Sequence, residues 1–373
     1  MSKGYFQNFL KIDKFKVKFI KNRYKGENYM TNKITEDPRI DPRIKEQWKD
    51  INFPEVLVES SSREEMLSKV NSEEGQVELM MYEAVFNDPR LDDAISSEGL
   101  KNETIEIESQ PDANKIKLLN IRPDNNDVLP CVYYIHGGGM EIGSCFYKLY
   151  QAFGRLIAHQ NVSVIMVDFR NARVPSSASE VAPFPAGLND CVSGFDYIKT
   201  NAKKLNIDSE RIVISGESGG GNLTLATGMK LSKEGRSNEV KGLYALCPYI
   251  AGIWPLPENP SSTENNGIML DLHNDHGAVV YGIEEWEKRN PLAWPGFAKE
   301  EDVKDLPKTF ISVNECDPLR DEGINFYRLL RRANVEAQCR VLSGTIHGTD
   351  TMVLSCPEVS LETARSIAAF TGD

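Results

Sequence analysis

Two hydrophobic periodicities alternate along the last two thirds of the chain. Short apolar runs at 131–135, 162–167, 212–214, 243–246 and 310–313 have the length of strands buried on both faces. Stretches at 146–160, 187–204, 221–233 and 321–332 instead carry apolar residues at helical spacing. Strands alternating with helices predict a mostly parallel central sheet covered by helices on both faces. Ahead of these, 104–108 and 115–121 alternate apolar with polar around Pro111-Asp112. That pattern predicts an antiparallel pair opening the sheet. The last strand is expected to end at Val341-Leu342.

Two regions break this rhythm. Residues 34–100 are polar and read as mostly helical, punctuated by Asp37-Pro38 and Asp41-Pro42. Ile44, Trp48, Ile51 and Phe53 are their scattered apolar anchors. Nothing there resembles half of a parallel sheet, so a helical cap is expected. Residues 248–300 hold Trp254, Pro255, Pro257, Pro260, Asn265, Asn266, Gly267, Trp286, Trp294 and Pro295. An irregular insertion of this length between strands usually carries function, often as a lid. The expected division is therefore a leader at 1–29, N-terminal cap helices at 30–100 and a catalytic α/β domain at 101–373. A cap insertion interrupts that domain at about 250–295.

Composition narrows the functional class. The chain has 373 residues, is 40% hydrophobic and 26% charged, and carries a net charge of −12. An acidic balance argues against nucleic acid as the main partner, because that affinity comes from neutralising phosphates. Residues 1–29 are the exception, with eight basic residues against Asp13 and Glu27. They read as a disordered leader rather than an amphipathic membrane-binding segment, since termini are usually untethered. No stretch is apolar enough to span a bilayer, and no secretory leader is visible. The seven cysteines are Cys131, Cys145, Cys191, Cys247, Cys316, Cys339 and Cys356. They are scattered without a Cys-x-x-Cys pair, which points to free thiols in a reducing, cytoplasmic compartment and away from structural zinc.

The candidate chemistry lies in three short runs. Gly216-Glu217-Ser218-Gly219-Gly220 matches G-x-S-x-G between an apolar strand and a helix, the setting a nucleophile elbow requires. His136-Gly137-Gly138-Gly139 follows another strand. Its glycines leave backbone N–H groups free to converge as an oxyanion hole, and it lacks both phosphate-loop patterns. A serine nucleophile needs a base, and the chain order for such an elbow is Ser, acid, His. Of His136, His159, His273, His276 and His347, only His347 follows the last core strand. The acid is expected on the loop after 310–313, where Asp317 is preferred over Glu315 and Asp321. Pro318 stiffens its backbone, while Asp321 reads as the start of the next helix. Asp271, His273, Asp275 and His276 could be taken for metal ligands, but they read as a solvated loop without ligand spacing.

Taken together, these runs resemble the hormone-sensitive-lipase-like carboxylesterases. The likeness rests on 136–139, Pro183-Phe184-Pro185-Ala186, 216–223, Asn290-Pro291-Leu292-Ala293 and 316–323. It covers residues 100–373, with a looser echo around Asp37–Ile44. The resemblance implies an α/β-hydrolase fold with a helical cap, and hydrolysis of short- to medium-chain esters without cofactor or metal. It further implies Ser218, Asp317 and His347 as catalytic residues, Gly138, Gly139 and Gly219 as oxyanion-hole donors and a structural His136; the family often dimerises, which leaves a homodimer open. Two runs depart from the family. Glu217 and Gly219 stand where Asp and Ala are usual, and 168–173 differs from the usual Tyr-Arg-Leu-Ala-Pro-Glu. Alternatives are a serine hydrolase for lactones, amides or aryl and phthalate monoesters, and a non-catalytic receptor on the same fold. The aromatic content of the cap (Trp48, Phe53, Tyr249, Trp254, Tyr281, Trp286) suggests an apolar pocket for a small ester.

Overall fold

A computed structural model of the chain describes residues 33–49 and 62–372. The leader at 1–29, together with Ile51 and Phe53, lies outside the described residues. Eight strands form one sheet: β1 (Leu100–Ser109), β2 (Asn114–Pro123), β3 (Leu129–Ile135), β4 (Ser163–Asp168), β5 (Ile207–Glu217), β6 (Gly242–Leu246), β7 (Thr309–Asn314) and β8 (Ala337–Leu342). Their spatial order is β1-β2-β4-β3-β5-β6-β7-β8. The β1–β2 and β2–β4 pairs are antiparallel, and every later pair is parallel. The α/β fold expected from the sequence is therefore present, including its antiparallel opening.

Central and edge strands differ as their sequences require. Every residue of β4 and β6 is buried, so continuous apolar runs suit them. The edge strands β1 and β8 are mostly half-buried or exposed, and their apolar pattern is correspondingly diluted. Most of β8 escaped the sequence pattern for that reason, leaving only Val341-Leu342 visible.

The longer helices, in chain order, are α1 (Pro42–Trp48), α2 (Arg63–Lys69), α3 (Glu73–Phe86), α4 (Lys148–Ala158), α5 (Ala186–Thr200), α6 (Gly219–Lys233), α7 (His276–Glu287), α8 (Arg320–Arg332) and α9 (Pro357–Ala369). Local chemistry sets several starts. Asp41 caps α1 by accepting from Arg43 N, with Pro42 in the first turn, where a missing N–H costs nothing. Pro357 opens α9 in the same way, although the apolar pattern gave no sign of that helix.

Two large cores flank the sheet. One contains Cys131, Tyr133, Ile165, Ile214, Phe195 and Met229; the other contains Tyr134, Phe153, Ile157, Met166 and Ile367. Burying each such aliphatic or aromatic side chain contributes about 1.5–3 kcal/mol. A third, smaller core matters more for the site. Ile34, Ile40, Ile44 and Trp48 pack against Ile268, Cys316, Ile346, Met352 and Cys356. The stretch 33–49 thus lies as a strap across the loops that carry Asp317 and His347. Trp48 is core of that strap and not a pocket wall as the sequence suggested, because its neighbours lie behind those loops. No helix among the described residues is long and apolar enough to cross a membrane.

Candidate active site

Ser218 sits alone between β5 and α6 with φ 57° and ψ −117°. A non-glycine residue in this region costs about 1–3 kcal/mol and persists only where its surroundings hold it. Here Ser218 N donates to Leu246 O at 2.9 Å, and Ser218 O accepts from Tyr249 N at 3.1 Å. The following helix comes so close that a Cβ on Gly220 would lie 2.1 Å from Ile135 O. Only glycine fits there, which is why the G-x-S-x-G pattern marks this turn.

The structure brings Asp317 and His347 to this serine. Asp317 follows β7, and His347 lies in the turn after β8. His347 Nε2 is 2.9 Å from Ser218 Oγ, and its Nδ1 is 2.8 Å from Asp317 Oδ2. A carboxylate can only accept, so Nδ1 carries a proton, and in the neutral imidazole Nε2 then accepts from the serine hydroxyl. Ser218, Asp317 and His347 are all buried. Burial alone would depress the imidazole. The Asp317 carboxylate outweighs it and holds His347 well above the ordinary histidine range. Of the two other acids considered, Glu315 instead accepts from Gly344 N at 2.7 Å, and Asp321 from Ser261 N at 2.7 Å.

Side chains from distant segments hold the acid loop. Asp317 Oδ1 accepts from Leu319 N at 2.9 Å. Asn265 Nδ2 donates to the carbonyls of Asp317 (3.0 Å) and Glu315 (3.1 Å), while Asn265 Oδ1 accepts from Arg39 of the strap at 2.9 Å. Asp41 N donates to Gly344 O at 2.9 Å, tying the strap to the histidine turn.

Gly138 and Gly139 take φ of 100° and 61°. Their N–H groups donate to no backbone or side-chain acceptor among the described residues. Gly219 opens α6, where the first N–H groups have no partner within the helix. A Cβ on Gly219 would lie 2.8 Å from Gly139 N, so the glycine loop and the start of α6 meet next to Ser218. His136 is fully buried. Its Nδ1 lies 2.8 Å from Gly137 O and its ring stacks on Phe169 at 4.3 Å, a structural placement.

The run 168–173, which departs from the family pattern, wraps this glycine loop. Ala172 N donates to Met140 O, Arg173 N to Glu141 O and Asn171 Nδ2 to Gly143 O, at 2.8–3.1 Å. Glu141 also pairs with Arg173 (3.3 Å) and with His276 Nε2 (2.9 Å). Burial opposes its ionisation, but Arg173 and the His276 hydrogen bond outweigh it and bring its carboxyl down to about 2. His276 opens α7 and reaches the glycine loop, so it does not belong to a solvated loop as the sequence suggested. Of its neighbours in that run, Asp271 accepts from Asn266, and His273 Nε2 lies 3.0 Å from Ser262 O.

Several site residues carried no signal in the sequence. Glu217 stood out only as a replacement for the usual Asp, yet its carboxylate lies beside His347 with the Cys247 thiol. Cys247, Tyr150 and Glu141 follow no pattern of spacing and become visible only once β5, β6 and the glycine loop meet.

Residues 132–351 match the family model of the alpha/beta hydrolase fold. The chain belongs to the alpha/beta hydrolase family. Within it, the chain is 30% identical over 261 residues to an arylesterase of Saccharolobus solfataricus, covering 68% of this chain and 76% of that protein. The solved structure of the esterase Est22 is 57% identical and superposes with a TM-score of 0.88 over 92% of this chain and all of that one. Brefeldin A esterase, described as a bacterial homologue of human hormone-sensitive lipase, is 32% identical with a TM-score of 0.80, covering 91% and 95% of the two chains. The resemblance to hormone-sensitive-lipase-like carboxylesterases is borne out.

Proposed function

We propose that the protein is a serine carboxylesterase in which Ser218 is the nucleophile, His347 the general base and Asp317 the acid that orients the histidine. The hydrogen-bonded chain from Ser218 Oγ through His347 to Asp317 is the observation that carries this reading. His347 takes the Ser218 proton as Oγ attacks the ester carbonyl, and Asp317 holds the tautomer and stabilises the imidazolium. The N–H groups of Gly138, Gly139 and Gly219 receive the oxyanion; losing one such donor typically costs about 3–4 kcal/mol in the barrier. His347 returns the proton to the departing alcohol, and water then releases the acid from the acyl-enzyme.

The similarity to an arylesterase and to Est22 supports esters as the substrate class. The strap and N-terminal helices on one side and residues 248–300 on the other form the cap of this reading. Tyr249, Trp254, Tyr281 and Trp294 pack as one aromatic group at its base, which supports short to medium apolar acyl chains. The free cysteines support a cytoplasmic enzyme. Light scattering on the purified protein distinguishes a monomer from the homodimer that the family allows.

The test is hydrolysis of p-nitrophenyl acetate, butyrate, octanoate and laurate by the wild type and by Ser218→Ala. The wild type should prefer the short chains, and the variant should lose at least about four orders of magnitude in kcat. Equal, feeble rates in both proteins would end the esterase reading.

A further inference from the structure

We propose that Glu217 is a positioning residue for this reaction, a second carboxylate that steadies the His347 imidazolium alongside Asp317. The inference rests on the esterase reading above. Glu217 is the last residue of β5 and only 7% exposed. A carboxylate oxygen of Glu217, the Cys247 sulfur and a ring nitrogen of His347 lie within 4.8 Å of one another. Tyr150 Oη donates to Glu217 Oε2 at 3.2 Å and accepts from Gly137 N at 3.0 Å. A Cβ on Gly348 would lie 3.6 Å from Glu217 Oε1. The carboxylate therefore sits between the glycine loop, which is to receive the oxyanion, and the turn that presents the base.

Few other charges face this pair. Asp317 occupies Nδ1 of His347, and Ser218 occupies Nε2. The Cys247 thiol is pushed by burial up to about 12, so it stays neutral. Tyr82, Tyr134 and Tyr150, which face Glu217 from α3, β3 and α4, are raised by burial and stay neutral as well. Asp350 also faces Glu217, but Arg340 pairs with it at 3.1 Å, and Ser312, Asn314 and Thr363 hydrogen-bond it. Burial raises the Glu217 carboxyl, and a charged His347 opposes that rise. Each ion thus favours the other, which is what a base that must become an imidazolium out of water requires.

The sign of the effect is testable. An opposite charge within about 4–6 Å shifts a pKa by about 1–3 units. Replacing Glu217 with glutamine removes a negative charge, so His347 loses its proton at lower pH. The acid limb of kcat/KM should move down by about one unit, and the plateau kcat should fall about 10- to 100-fold with KM little changed. Glu217→Asp keeps the charge and should keep the limb within a few tenths of a unit. The experiment is the profile of wild type, E217Q, E217D and Ser218→Ala on p-nitrophenyl butyrate from about pH 5 to about pH 10, with thermal melts of each. A wild-type limb in E217Q, or equal losses in E217Q and E217D with no shift, overturns the inference and leaves a packing role. If E217Q does not fold, Tyr150→Phe takes its place. Losing that donor weakens the ionised carboxylate and should move the limb the same way by less; an unmoved limb overturns the proposal. An active Ser218→Ala would instead sink the esterase reading itself, whatever Glu217 does.

Discussion

Ser218 and its two partners are held by different means. Around Ser218 the main chain does the holding: its N–H and C=O are tied to Leu246 and Tyr249, and β5 and α6 close directly on it through glycine contacts. Asp317 and His347 sit on loops whose positions depend on distant side chains. Asn265 from the insertion, Arg39 and Trp48 from the strap, and Glu315 gripping Gly344 fix the two loops. Ser218 thus inherits the rigidity of a buried parallel sheet. Asp317 and His347 inherit only the stability of the segments packed on them, so substitutions should act all-or-none in one region and by degrees in the other.

The largest expected effect inside the loop region comes from Asp317→Asn. It keeps the shape but lets the histidine adopt the wrong tautomer, and kcat should fall by about four orders of magnitude with little change in melting temperature. A loss below about tenfold would show that another group orients His347.

Trp48→Ala tests the strap. The side chain is 1% exposed in the core behind both loops. Its removal should cost about 3–5 kcal/mol of stability, read as a lowered midpoint in urea. The elbow is packed independently, so residual activity below the transition should persist; its complete loss in a folded variant would erase the contrast drawn here.

Asn265→Ala removes the amide that joins the carbonyls of Asp317 and Glu315. We expect kcat to drop about tenfold with KM nearly constant, because the loop loosens while the cap stays in place. A rise in KM alone would assign Asn265 to substrate binding instead.

The smallest effect should come from Arg43→Ala at the outer face of the strap. Arg43 pairs with Asp41 and Glu358 in the open, where ion pairs contribute little. Both melting temperature and activity should stay as in the wild type, and a measurable loss of either would mean that the strap is held from outside as well as from its core.

How much was legible depended on how local each signal is. β3 to β7 were readable because strands covered on both faces must be apolar throughout. The elbow and the glycine loop were readable because close backbone approach admits only glycine. His347 followed from chain order and Asp317 from its place after β7. Most of β8 was hidden by its half-buried edge position, and α9 by a sequence whose apolar pattern did not announce a helix. The strap was visible only as scattered apolar residues, since nothing local says which loops they cover.

The sequence by itself determined the class of fold, the turn that carries Ser218 and the order in which Asp317 and His347 follow it. Those features rest on burial period, backbone sterics and connectivity, which act over a few residues or along one strand. Tertiary structure alone decided that Glu217 and Cys247 sit against His347, that Asn265 and Arg39 hold the Asp317 loop, and that Glu141 joins the glycine loop to His276. These contacts span tens to hundreds of positions, and a long-range contact leaves no period in the chain that makes it.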